Sequence, residues 1–197
     1  MTYEEYYQEY YPLLKETEQK LVNLVKEYPL HNPVGEYEPV LYCKSRIKTP
    51  KSMIAKLQRR ELPTDKDTAM REMHDAVGIR VICSFADNVY QVADWLSNRK
   101  EFEVEEQKDY MAYPKPNGYR SLHLILKVRT DDRDILHAEI QLRTIAIDFW
   151  AALEHQIKYK HEIRHETVIR EELKRCADEI ASVDMSMQTI RDMIREE

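Results

Sequence analysis

Scarcity of glycine is the feature that most constrains this chain. Its 197 residues contain only Gly35, Gly78 and Gly118, each isolated from the others. A dinucleotide-binding fingerprint or a Walker loop needs clustered glycines so that backbone amides can approach phosphate. Neither can be built here, so any phosphate must be held by Lys and Arg side chains. The charge distribution supplies them. Net charge is −6, yet Lys44, Arg46, Lys48, Lys51, Lys56, Arg59 and Arg60 fall in one stretch that contains no acid. A basic block in an acidic protein points to an anion pocket more than to a general nucleic-acid surface. The length suits one domain with helical appendages, large enough to bury a core without disulfide or metal staples. Three widely spaced cysteines (Cys43, Cys83, Cys176) fit reduced thiols. No apolar run is long enough to span a bilayer, and the first residues lack the basic start and apolar stretch of a signal peptide. The expected location is the cytoplasm.

Periodicity predicts the elements. A helix is expected over residues 2–29, opened by the capping box Thr2-x-x-Glu5, with Pro12 kinking it or delaying its start to about Tyr11. Its apolar seam runs Tyr7, Tyr10, Leu14, Leu21, Leu24, Tyr28. A loop over 31–38 leads to a strand over 39–47. Thr49-Pro50 is an N-cap followed by proline at the first helical position, so a helix to about Arg60 is expected. A short helix over 67–77 precedes the nearly continuous apolar run from Gly78 to Phe85, a buried central strand interrupted by Arg80. An amphipathic helix over 86–99, a strand over 102–110 and a hairpin of 121–129 with 135–143 follow. A helix from Thr144 past Lys160 comes next. The last segment carries Ile169, Leu173, Cys176, Ile180, Val183, Met187, Ile190 and Ile194 at four-three steps, a narrow seam on one long helix. That seam fits packing on the first helix or subunit assembly. The element order predicts an α+β fold, a mixed sheet flanked by helices.

Four constellations carry candidate chemistry. In the helix after Pro50, Ser52 and Lys56 share a face, and Arg46 and Lys48 project from the preceding strand. Such a fork suits a triphosphate in the absence of a glycine loop, although a solvated basic face has the same pattern. Asp75 stands just before the buried strand that holds Arg80, a costly pair to bury unless both groups are used; a structural ion pair is the alternative. The loop Tyr113 to His123 brings Lys115, Asn117, Tyr119, Arg120 and His123 together, with Gly118 permitting the turn. In the strand 139–144, Glu139, Gln141 and Arg143 point to one face. Asp75 and Glu139 could jointly hold a magnesium ion among phosphates.

These pieces, in order, resemble the synthetase domain of RelA/SpoT-type (p)ppGpp synthetases, and most closely the small alarmone synthetases. The resemblance rests on Arg46-x-Lys48-x-x-x-Ser52-x-x-x-Lys56, Asp75-x-x-Gly78-x-Arg80 and Lys108-Asp109-Tyr110. It continues through Lys115-x-Asn117-Gly118-Tyr119-Arg120-Ser121-x-His123, Glu139-x-Gln141-x-Arg143-Thr144 and the segment Phe149 to Lys160. It implies a nucleotidyltransferase-like mixed sheet over 38–160, with oligomerisation helices at 1–30 and 161–197. It implies transfer of the β,γ-pyrophosphate of ATP to the 3′-hydroxyl of GDP or GTP, with Mg2+, to make the alarmone of the stringent response. By the same resemblance Arg46, Lys48, Ser52, Lys56 and Arg80 belong to the ATP side. Lys108, Lys115, Asn117, Tyr119, Arg120, His123 and Gln141 belong to the guanosine nucleotide, with Tyr119 stacked on guanine. Asp75 and Glu139 are the implied metal-binding and catalytic acids. A homo-oligomer is expected, with a tetramer favoured by the resemblance. Leu21, Val25 and Tyr28 are the residues expected to face a central cleft, so activation by product is expected to be weak or absent. The resemblance does not extend to a hydrolase domain: His74-Asp75 is an HD dipeptide without partner ligands at suitable spacing, so product degradation is not expected. Two other classes remain as alternatives. His161-Glu162-Ile163-Arg164-His165 is a literal H-E-x-x-H, which would make the chain a zinc-dependent hydrolase if it lay on a packed helix with a third ligand. A nucleic-acid-binding module would need aromatic residues interleaved with the basic ones, and the acidic net charge argues against it.

Overall fold

The structure, a computed structural model, describes residues 1–31, 37–129, 135–159 and 166–195. The expected loop around Gly35, the hairpin turn at 130–134 and the H-E-x-x-H segment with Lys160 lie outside the described residues. Among the described residues seven helices and five strands follow one another as α1 (Tyr3–Tyr7), α2 (Tyr10–His31), β1 (Val40–Ile47), α3 (Pro50–Arg59), α4 (Lys66–Glu72), β2 (Val77–Cys83), α5 (Ala86–Ser97), β3 (Phe102–Asp109), β4 (Leu122–Arg129), β5 (Ile135–Thr144), α6 (Ile145–Tyr159) and α7 (Glu166–Arg195). The strands form one mixed sheet in the order β1-β2-β5-β4-β3, with β2 and β5 parallel and the other pairs antiparallel. No described helix is long and apolar enough to cross a membrane.

Local chemistry explains the starts. The Thr2–Glu5 capping box forms as expected, but α1 ends after Tyr7, where Gln8 takes a left-handed φ of 51°. Helix α2 then begins at Tyr10, which places Pro12 in its first turn, where a missing N–H costs no helical bond. In α3, the Thr49 hydroxyl accepts from the Ser52 amide at 3.3 Å and Pro50 follows at the first position. The hydroxyls of Tyr3 and Tyr7 reach the Ile47 and Lys48 carbonyls at 3.4 and 2.7 Å. The N-terminal tyrosines thereby fix the β1–α3 junction that carries Lys48.

The sheet has two unlike faces. Val77, Ile79, Val81, Leu122, Leu124, Leu126, Ala138, Ile140 and Leu142 are buried on one face, under α2 and α5. Leu14, Leu21, Leu24 and Tyr28 of α2 complete that core. This corrects the expectation that the first helix leaves its seam, or Leu21, Val25 and Tyr28, for a subunit contact: all of them are buried in the chain's own core except Tyr10, which is half-buried against it. Helix α7 behaves otherwise. Its N-terminal half packs on α6, where the Trp150 indole donates to the Leu173 carbonyl at 2.9 Å. Its further attachments are polar: the Asp184 carboxylate accepts from the buried Thr144 hydroxyl, and Arg191 makes a two-pronged pair with Asp87 at 2.9 Å. Val183, Met187, Ile190 and Ile194, the C-terminal half of the expected seam, face solvent.

Candidate functional site

The second face of the sheet is polar, and register assembles it. Arg46 on β1 lies beside Gly78 on β2, and Gly78 lies beside Glu139 on β5. Arg80 is flanked by Lys44 and Gln141, and Gln141 in turn by His123 on β4. Gly78 leaves the space between Arg46 and Glu139 without a side chain, and a Cβ there would meet Arg46 only at ordinary contact distance, 3.8 Å. A pocket of about 240 Å³ opens at this point, lined by Lys44, Arg46 and Arg80 with Asp75, Glu139 and Gln141. Beside it lies a second pocket of about 260 Å³, lined by Lys56, Arg60, Lys108 and His74, along with Glu72 and Glu106. Asp75 and Glu139 line both. The two carboxylates are thus a shared wall between two pockets, each lined by three Lys or Arg side chains.

Each carboxylate is held differently. The Asp75 Oδ2 accepts from Lys48 at 2.9 Å and from Lys56 at 2.8 Å. Burial alone would raise the Asp75 pKa, but the two ammonium groups outweigh it and hold the carboxyl below its ordinary value. The other oxygen, Oδ1, is buried and has no hydrogen-bond partner among the described residues. Glu139 instead belongs to a closed ring of side chains. The Tyr119 hydroxyl meets His123 Nε2 at 2.9 Å, and His123 Nδ1 meets Glu139 Oε1 at 2.9 Å. Gln141 donates to Glu139 Oε2 at 2.8 Å, and Arg143 donates to both the Gln141 amide oxygen and the Tyr119 hydroxyl, at 2.8 and 3.0 Å. Burial raises the Tyr119 pKa, so the phenol keeps its proton. With Arg143 donating to its oxygen, that proton goes to His123 Nε2, which assigns the imidazole proton to Nδ1 and aims it at Glu139. Burial and the neighbouring Asp75 charge push the Glu139 pKa up, but the hydrogen bonds from His123 and Gln141 hold it below its usual value. Both acids are therefore ionised at neutral pH.

The expected site residues separate spatially. Arg46 and Arg80 line the first pocket, while Lys56 lines the second together with Lys108. Ser52 is exposed and accepts from the Thr49 hydroxyl at 2.8 Å. Lys115 places its ammonium over the rings of Tyr110 and Tyr119, at 4.5 and 5.1 Å from their centroids. Asn117 donates to Glu154 at 3.0 Å. Arg120 is turned from the cleft toward α7, where it meets Asp178 at 3.3 Å. Gly118 serves two ends: its φ is 86°, and a Cβ would stand 2.6 Å from that of Ala177 on α7. Lys44 and Arg60, members of the basic block over 44–60, each line one of the pockets, whereas sequence reasoning missed Asp148. That acid, in the first turn of α6, meets both Arg80 and Arg143 at 3.4 Å and accepts from the Tyr42 hydroxyl at 3.3 Å. Its position five residues after Arg143 was the available signal.

Away from that wall, burial and the neighbouring His74 hold the His137 pKa below its ordinary value. The Lys127 ammonium lowers that of Glu105.

A family model described as a region found in RelA and SpoT proteins matches residues 45–164. The chain is 38% identical over 164 residues to the GTP pyrophosphokinase YwaC of Bacillus subtilis, covering 82% of this chain and 78% of that protein. It is 31% identical over 189 residues to the GTP pyrophosphokinase YjbM of the same organism, covering 94% and 88% respectively. The crystal structure of the B. subtilis small alarmone synthetase 1 bound to its product pppGpp superposes with a TM-score of 0.79 at 30% identity, covering 94% of each chain.

Proposed function

The chain belongs to the RelA/SpoT family and is a GTP pyrophosphokinase of the small alarmone synthetase type; from that premise we propose that it moves the β,γ-pyrophosphate of ATP to the 3′-hydroxyl of GDP or GTP across the Asp75–Glu139 wall. The observation that carries this reading is the pair of pockets, each with three Lys or Arg side chains, that share two ionised carboxylates. Two polyanionic substrates need two separate sets of cations. Their reacting ends need one common boundary, and positioning supplies much of the rate.

The two acids differ in what they offer. Asp75 Oδ1 is buried, unpartnered and ionised, which fits a hard divalent cation of the kind usually held by one or two carboxylates plus substrate phosphates. Mg2+, when bound, would supply charge neutralisation for the phosphates, with Asp75 as its ligand and Glu139 adjacent. Glu139 has no lysine partner and is aimed by His123 and Gln141, so it is suited to hold the attacking hydroxyl and draw off its proton. The new bond joins the 3′-oxygen to the β-phosphorus, and AMP leaves. Arg46, Arg80 and Lys44 balance phosphate charge in one pocket, and Lys56, Arg60 and Lys108 do so in the other. Incubating the protein with β-labelled ATP and GDP tests the reading. Label should appear in a guanosine tetraphosphate with one AMP per product, whereas label released only as free phosphate or pyrophosphate would contradict it.

Assembly and location extend the same reading. Ile145, Phe149, Leu153 and Ile157 expose one stripe on α6, and Val183, Met187, Ile190 and Ile194 another on α7. Monomers rarely leave so much apolar surface in water, which supports a homo-oligomer, with a tetramer as the form expected. ATP and guanosine nucleotides as substrates support a cytoplasmic location.

A further inference from the structure

Outside the catalytic wall, one group of side chains has the composition of a metal site. His74 precedes Asp75, His137 lies on β5 two residues before Glu139, and Glu105 sits on β3 where its register with β4 shifts between Val104 and Glu106. The shift is a bulge, a device that re-aims a side chain, and it brings Glu105 to both histidines. Glu105 Oε2 is 3.2 Å from His137 Nε2 and 3.9 Å from His74 Nδ1. One ligand atom from each of the three residues lies within 4.8 Å of the others.

We infer that His74, Glu105 and His137 form a binding site for a first-row transition ion such as Zn2+, separate from the magnesium chemistry of Asp75 and Glu139. Two imidazoles and one carboxylate are a donor set that suits zinc, whereas Mg2+ takes oxygen ligands. Metal-bound atoms stand about 2.0–2.2 Å from zinc, so the present spacing suits one ion once a ring has turned toward it. The Glu105 carboxylate is already oriented: Oε1 accepts from Lys127 at 2.7 Å, and Oε2, which faces the two histidines, is the oxygen offered to the ion. The imidazole rings are stacked at 4.1 Å with 15° between planes. A common ion lies in the plane of each ring that binds it, so coordination turns one ring out of the stack. His74, half-buried at the edge of the second pocket, has the room to turn. The bound ion would tie the residue before Asp75 to strands β3 and β5.

The test is titration of the metal-free full chain with Co2+ in millimolar excess of Mg2+, read by visible d–d absorption, paired with thermal denaturation in Zn2+. One equivalent should bind in a low-symmetry nitrogen–oxygen environment, and Zn2+ should raise the melting temperature. Loss of even an outer-shell partner commonly weakens metal sites by about 10–100-fold, so Glu105→Gln and His137→Asn should each weaken binding by at least about 100-fold. Glu105→Gln should keep its synthetase activity in Mg2+, which shows that the variant is folded. Absence of Co2+ binding overturns the site. So does binding that survives in both variants, or binding that is lost only in His161→Ala or His165→Ala.

Discussion

Strand β5 divides the molecule into two halves that a single alternation separates. Ala138, Ile140 and Leu142 face the core under α2 and α5, while Glu139, Gln141 and Arg143 face the cleft. The apolar side is held by area and shape, and a substitution there costs stability. The polar side is held by a ring of hydrogen bonds whose members each have more than one partner, and a substitution there costs rate. Neighbouring residues one position apart should therefore fail in different assays.

The largest expected effect lies on the cleft side. Asp75→Asn should lower turnover by at least about 10²–10³-fold, the usual size for losing one electrostatic element of a phosphoryl-transfer site, with an unchanged circular dichroism spectrum. Lost activity accompanied by unfolding would place Asp75 among the structural residues instead. On the opposite side, Ile140→Ala should cost about 2–5 kcal/mol in urea denaturation and leave kcat per folded molecule unchanged. A changed kcat at full folding would break the division between the faces.

Smaller effects sharpen it. Tyr119→Ala should raise the Michaelis constant for the guanosine nucleotide by the loss of a stacking contact of about 1–3 kcal/mol, with that for ATP nearly constant. Tyr119→Phe keeps the ring but cuts the link between Arg143 and His123, so it should lower kcat and spare the Michaelis constant. Equal effects on both nucleotides would make Tyr119 a framework residue. On α7, Val183→Ser with Met187→Ser should shift the oligomer toward monomer in light scattering. The cost to each folded chain should be within about 0.5 kcal/mol, as for exposed positions. An unchanged particle mass would remove that stripe from the interface. The pH dependence is the mildest test. Asp75 and Glu139 have folded pKa values below their unfolded ones. Their stabilisation is therefore complete above the ordinary carboxylate range of about 4 and is lost as pH falls through the depressed folded values. The difference in denaturation midpoint between the wild type and Asp75→Asn should be flat from neutrality to about pH 5, and should then change as the wild type loses the Asp75 contribution.

Much of this was legible in the sequence, for identifiable reasons. Alternation over 139–143 gave β5 both its faces, and Thr49-Pro50 fixed the start of α3 because its cap chemistry is local. The partner of an amphipathic helix was not legible. Tyr7 to Tyr28 and Ile169 to Ile194 have similar seams, yet the first is buried in the core and half of the second faces water. Periodicity defines an apolar face but not what covers it. Helix α7 is tied down by Asp184 and Arg191, seven residues apart and both polar, which a reading of apolar steps skips. In the site, spacing identified Asp75, Glu139 and the basic fork, whereas the division of cations between two pockets is a product of the fold. Lys56 lines the second pocket from α3, and Asp148 gathers Arg80 and Arg143 only once α6 docks beside β5.

The shared carboxylate wall is tested most directly by Glu139→Gln, with nucleotide binding and pyrophosphate transfer measured on the same preparation. Equilibrium titration with a non-hydrolysable ATP analogue and with GDP should give affinities within about threefold of the wild type, since the cations that hold both nucleotides remain. Transfer of label from ATP to GDP should fall by at least about 10²-fold. Full transfer by Glu139→Gln, or loss of binding of both nucleotides in step with activity, would contradict a wall at which Glu139 acts on the attacking hydroxyl.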